Sequence, residues 1–290
     1  MKRYNIILIL LLFLPFSCTN NREATPANNG KEDKNNPVQR IISLNPSITE
    51  ELYLLKADNL LIANTIYCNR PAAARSKQKI GNLIDFDVES IIKLKPGLVL
   101  CTTLVNDNKI KKLKKVGIKV MVIPEPRSFN KICDNFLKLG KELQRKEVAE
   151  KIIENARKEI ASIIDKTESL LKKRVLIQIG IKPLFIVNKD YFINDYIKFS
   201  GGINIAEKAD TGILNRESIV LNDPDVIIIT EMGIAGKEEK QKWMKYNTIK
   251  AVRNNEIYIV ESEIFCSGTI NSFMKSLKIL TSFLHPEIKQ

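Results

Sequence analysis

The stretch ESIIKLKPGLVL (89–100) has a close paraphrase in ESIVLNDPDVII (217–228). Both open Glu-Ser-Ile, both place a proline seven residues after the glutamate (Pro96, Pro224), and both continue into aliphatics. The offset is 128 residues in a chain of 290. Each stretch before its proline reads as a short helix, because the residue preceding a proline tends to leave the helical region. The aliphatics beyond each proline read as a buried strand. The chain carries one phrase twice, which implies two related lobes.

The segments around the two phrases extend the pattern. QRIISL (39–44), NLLIANT (59–65), GLVLCT (97–102) and IKVMVIP (118–124) read as strands in the first half. Helices fall between them: ITEELYLLK, with Ser47 and Glu50 spaced as a capping box, and NKIKKLKKVG, closed by Gly117. The second half repeats the theme with RVLIQIG (174–180), PLFIVN (183–188) and IYIVE (257–261) as strands. Its helices lie around YFINDYIKFSGG and over INSFMKSLKILTSFL (270–284). Strands alternating with helices predict α/β lobes of Rossmann-like type with mostly parallel sheets. Between the halves, Val148, Ile152, Ile153, Ala156, Ile160, Ile163 and Ile164 form one stripe at helical spacing. A helix of roughly 28 residues there would be about 42 Å long, long enough to act as a strut between lobes. The expected organisation is an N-terminal lobe over 38–143, a connecting helix over 144–172 and a C-terminal lobe over 173–290. A ligand cleft is expected between the lobes, near the carboxyl ends of their strands.

The N-terminus, MKRYNIILILLLFLPFSC, has two basic residues and then a short aliphatic run, the order of a secretory signal. It resembles a bacterial lipoprotein signal over 1–17, with Cys18 as the lipidated first residue of the mature chain. Pro15 departs from the usual pattern, and an ordinary secreted protein cleaved nearby is the alternative. Residues 18–37 hold almost no large aliphatics and read as a flexible tether. The net charge of +13 first suggests nucleic acid. The Lys and Arg are instead spread along helix faces such as KIKKLKKVGIK (109–119), and an exported chain has no nucleic-acid partner. Cys68, Cys101, Cys133 and Cys266 could form two bridges in any of three connectivities, or stay as free thiols.

RIISLNPSITEELYLL, YCNRPAAARSKQKIGNLIDFDVESIIKLKPGLVL, GIKVMVIP, FINDYIKFSGGINIAEKA and ESIVLNDPDVIIIT, in this order, resemble the substrate-binding proteins of ABC importers of the cobalamin and ferric-siderophore class. The resemblance runs from about Gln39 to Pro286. It implies two lobes joined by one long helix, little hinge motion, and a ligand held between the lobes. It implies a monomer in the cell envelope, held by its lipid anchor, that serves a permease and its ATPase subunits. Glu89 and Glu217 match the carboxylates that dock onto permease arginines, a pairing suited to the two-pronged guanidinium. Tyr67 and Phe185 match positions that present an aromatic ring to the cleft, and Arg70, Asn82, Asn106 and Phe265 are possible neighbours. Cobalamin is the first expectation for the ligand, with a ferric siderophore or haem as the alternative. Cobalamin binders of this class offer tryptophans to the corrin ring, and here the single tryptophan is Trp243.

A bare transition metal needs several histidines and carboxylates, and the chain has one histidine, His285. No direct metal site and no intrinsic cofactor are expected. An exported α/β enzyme is the rival class, but no dinucleotide fingerprint, Walker loop or nucleophile elbow is present.

Overall fold

The strand that follows each repeated phrase lies inside its sheet, paired on both sides. In the structure, a computed structural model that describes residues 39–231 and 235–288, the N-terminal lobe opens with β1 (Ile41–Ser43), α1 (Pro46–Leu54), β2 (Leu61–Asn64) and β3 (Gln78–Lys79). It continues through α2 (Val88–Lys93), β4 (Leu98–Thr102), α3 (Asp107–Lys115) and β5 (Val120–Ile123). Two helices follow, α4 (Phe129–Glu142) and α5 (Lys146–Thr167). The C-terminal lobe holds β6 (Arg174–Gln178), α6 (Asn194–Phe199), β7 (Ile203–Asn204), α7 (Arg216–Asn222), β8 (Val226–Glu231) and α8 (Ala235–Trp243). It closes with α9 (Lys250–Arg253), β9 (Ile257–Glu261), α10 (Ser262–Phe265) and α11 (Ile270–Leu284). The leader, the tether and Cys18 lie outside the described residues.

All ladders pair parallel strands, in the order β3-β2-β1-β4-β5 in one sheet and β7-β6-β8-β9 in the other. The shared part of the two orders matches strand for strand, so the echo in sequence is an echo in topology. Each phrase folds alike. Asp87 caps α2 and Asn215 caps α7, and each accepts from the backbone N–H of the phrase's serine. Ile91 and Ile219 are fully buried. Lys95 and Asp223, the residues before the prolines, both have positive φ, 46° and 42°.

Alternation along the strands sorts the cores. Leu98 and Leu100 of β4, and Val226 and Ile228 of β8, point into one cluster shared by the lobes, while Val99 and Ile227 point to the outer faces. Phe129 of α4, Ile160 of α5, Tyr196 of α6 and Phe273 of α11 fill the shared cluster. Phe129 and Phe273 have ring centroids 4.6 Å apart, and the Phe129 N–H donates to Asp195 Oδ2 at 2.7 Å. A common core disfavours wide hinge opening, because separating the lobes would expose apolar surface at roughly 25 cal/mol per Å².

Several expectations are corrected. The connecting helix is 22 residues, about 33 Å, rather than 28. The chain turns at Gln144 (φ 56°) before it, and Ile164 of the predicted stripe faces solvent. PLFIVN forms only isolated antiparallel bridges, Gln178 to Ile186 and Phe185 to Ile213, so it is not a sheet strand. The cap of α1 is Asn45, whose side chain accepts from the Ser47 and Ile48 N–H groups, with Pro46 in the first turn. Glu50 therefore serves no capping box and is buried. All four cysteines are free thiols.

Candidate functional site

Parallel strands place all their carboxyl ends along one edge of each sheet, and the connections there are the natural ligand-facing loops. The two lobes meet beside these loops. Ser47, at the start of α1, lies with its Oγ 3.3 Å from Ser267 Oγ. A Cβ on Gly268 would come within 2.8 Å of the Pro126 ring, beyond β5.

The loop after β2 displays Ile66 and Tyr67, 47% and 62% exposed. Beneath it, Lys79 Nζ donates to Asn64 Oδ1 (2.7 Å) and to the carbonyls of Thr65 (3.3 Å), Cys68 (3.3 Å) and Ala74 (3.2 Å). Burial lowers the Lys79 pKa, partly offset by Cys68. Cys68, directly after Tyr67, is buried against the hydroxyls of Thr49 and Thr65. Tyr67 thus stands exposed on a loop fixed from below. In the C-terminal lobe, Phe185 is 37% exposed and bridges to Ile213, itself 45% exposed. The Phe185 ring lies against Gly180, where a Cβ would meet Cδ2 at 2.9 Å. Cis peptides occur at Arg70–Pro71 and Lys182–Pro183, one in each of these loops.

The other expected contacts are engaged elsewhere. Arg70 pairs with Glu50 at 3.0 Å, and the same carboxylate accepts from Ser272 of α11, which ties the loop to the opposite lobe. Asn82 accepts the N–H groups of Ile84 and Asp85 within a turn, and Asn106 caps α3. Phe265 is 1% exposed, its ring packed edge-on to Tyr196, and has no face for a ligand. Trp243 is fully buried. Its Nε1 donates to Gln178, and the Arg216 guanidinium lies 4.3 Å above its ring. Ile66, Leu104 (63% exposed, after β4) and Ile213 are apolar groups on the strand-end loops that were not singled out beforehand. Apolar residues at strand ends look like core in a linear reading, and only their exposure distinguishes them.

Glu89 and Glu217 are both exposed in the first turns of α2 and α7. Among the described residues no group of three His, Cys, Asp or Glu could hold a metal ion. His285 is 2% exposed, with Nε2 2.9 Å from the Ser200 carbonyl oxygen.

Known proteins agree with this architecture. An ABC transporter substrate-binding lipoprotein of uncharacterised function, YvrC of Bacillus subtilis, is 26% identical over 236 residues, 78% of this chain and 74% of its own. A vitamin B12-binding protein of Vibrio vulnificus is 25% identical over 257 residues, 88% and 93% of the two chains. The solved structure of a possible iron-binding, periplasmic solute-binding protein from Staphylococcus epidermidis superposes with a TM-score of 0.77 at 25% identity, covering 86% of this chain and all of that one. The periplasmic binding protein family matches residues 41–264, and the chain belongs to it.

Proposed function

We propose that this substrate-binding protein of an ABC importer captures cobalamin or a related corrinoid and hands it to the permease. Proteins of the family bind solutes and are not enzymes. The observation that carries the choice of ligand is the run of vitamin B12-binding relatives, the one from Vibrio vulnificus aligning over nearly its full length. The exposed rings of Tyr67 and Phe185, with Ile66, Leu104 and Ile213, offer apolar surface suited to a large flat macrocycle. A ferric siderophore or haem is the second candidate. It is favoured by the possible iron-binding relative from Staphylococcus epidermidis and by the absence of an indole on these described loops. In either case the metal arrives inside its chelate.

Residues 1–17 are proposed as the signal and Cys18 as the lipidated residue, with 18–37 as the tether. Among the described residues no helix is long and apolar enough to cross a membrane; attachment is assigned in this reading to acyl chains on Cys18. Glu89 and Glu217 are proposed to dock onto the permease.

The test is titration of the purified chain with cyanocobalamin, haem and ferrichrome, followed by calorimetry and tyrosine fluorescence. Trp243 is too deeply buried to report directly. One-to-one binding of cyanocobalamin is expected, weakened about tenfold or more by Tyr67→Ala or Phe185→Ala. Binding of haem or ferrichrome alone would replace the ligand, and binding of none would overturn the corrinoid assignment.

A further inference from the structure

Leu221 is 86% exposed, the highest value for a large apolar side chain among the described residues. Single exposed leucines are common on soluble proteins, so its position carries the weight. It stands four residues after Glu217 on α7, and residues four apart share a helix face. The neighbouring guanidinium does not neutralise Glu217. Arg216 turns inward to the buried carboxylate of Glu239 and the face of Trp243. Burial works to raise the Glu239 carboxyl, but donors from Gln178, Arg216 and Lys242 outweigh it and hold the group below its usual range. Glu217 is left facing solvent with a bare leucine one turn away.

The matching place in the N-terminal lobe, four residues after Glu89, is occupied by exposed Lys93. A glutamate four residues ahead of a lysine is the favoured order for an intrahelical pair. Hydrogen bonds from Ser90 and Glu89, and then the Lys93 charge, hold the nearby Asp87 carboxyl below its usual range, so a cation stands beside this first turn and repels an approaching arginine. Ile92, 36% exposed, is the apolar surface nearby. The two lobes share the glutamate and differ in what stands beside it.

We propose that Glu217 and Leu221 form a two-part anchor for one arginine side chain of the permease, and that the pad around Glu89 is the weaker of the two. The carboxylate takes the guanidinium in a charge-assisted pair, and the leucine covers the methylene stem. Covering that stem excludes water from the ion pair, the arrangement that gives interface anchors their strength. This rests on the docking role proposed for the glutamates.

The experiment measures binding of the full chain to its permease–ATPase complex in detergent. Leu221→Ala is expected to weaken binding about fivefold to tenfold, and Leu221→Lys further, because it recreates the N-terminal arrangement. Glu217→Ala costs more than Glu89→Ala, and Lys93→Leu tightens binding. Glu217→Ala and Leu221→Ala combined lose less than the sum of the two, since both act on one partner side chain. All four positions are exposed, so thermal unfolding and cyanocobalamin titration serve as unchanged controls. If Glu217→Ala weakens binding while Leu221→Ala does not, or if their losses simply add, the anchor is wrong and docking stands. If neither glutamate variant changes binding, docking through these helices is wrong and the anchor falls with it.

Discussion

At the residue scale, the chemistry concentrates where the sequence is least regular. Glu50 and Glu51 are adjacent on α1 and both buried, with different outcomes. Glu50 finds Arg70 and Ser272. Glu51 is pushed up from 4.5 to about 8, by burial first and by Glu50 second, so it is protonated at neutral pH. The sign of its effect follows from linkage. Between pH 4.5 and about 8 the unfolded chain has released this proton and the folded chain has kept it, so stability falls as pH rises through that window and levels off above it. The melting temperature should therefore fall from pH 5 to 8, and Glu51→Gln should flatten the fall by removing the ionisation. Equal slopes in the two proteins would mean that Glu51 ionises freely in the folded state.

At the scale of elements, the junction of α4 and α5 shows how a long helical pattern becomes two helices. Arg145 N–H bonds back to the Gly140 carbonyl, closing α4, and Gln144 takes a left-handed backbone. Gly140 lets the helices approach. A Cβ there would lie 2.7 Å from Ala149 Cβ and 3.2 Å from the Arg145 carbonyl oxygen. Gly140→Ala should thus destabilise the protein by about 1–3 kcal/mol, although alanine is the better helix former. Chemical denaturation measures it, and an unchanged or raised midpoint would show that the junction can give way. The paired helices α2 and α7 make the opposite case, two short elements built on one plan. Each has a side-chain cap worth about 1 kcal/mol, a buried isoleucine and an exposed glutamate.

At the scale of the molecule, the shared core decides behaviour. Phe273 of α11 touches Phe129 before the connecting helix and Tyr196 and Phe199 after it. Phe273→Ala should cost about 3–5 kcal/mol. Because the lobes share this cluster, the wild-type protein should unfold in one transition, coincident by far-UV circular dichroism and by Trp243 fluorescence. Two separated transitions would show that the lobes are independently stable. A common core also suits the docking proposed for α2 and α7, which needs the two helices to keep their spacing.

Much of this was legible in the linear chain. Hydrophobic period and proline placement are local properties, so the parallel α/β lobes, the limits of β9 and α11, and the doubled phrase could be read directly. The sequence by itself determined the two-lobe plan, because a helix, a chain-stiffening proline and a buried strand are encoded within a dozen residues. What only the tertiary structure decided depends on contacts between distant residues. The cap of α1 passed from Ser47 to Asn45 because Pro46 begins the helix, and Glu50 turned to Arg70 and Ser272. Phe265 went to the core while Tyr67 stayed open. Burial of a side chain is a property of everything packed around it, and no local pattern states it.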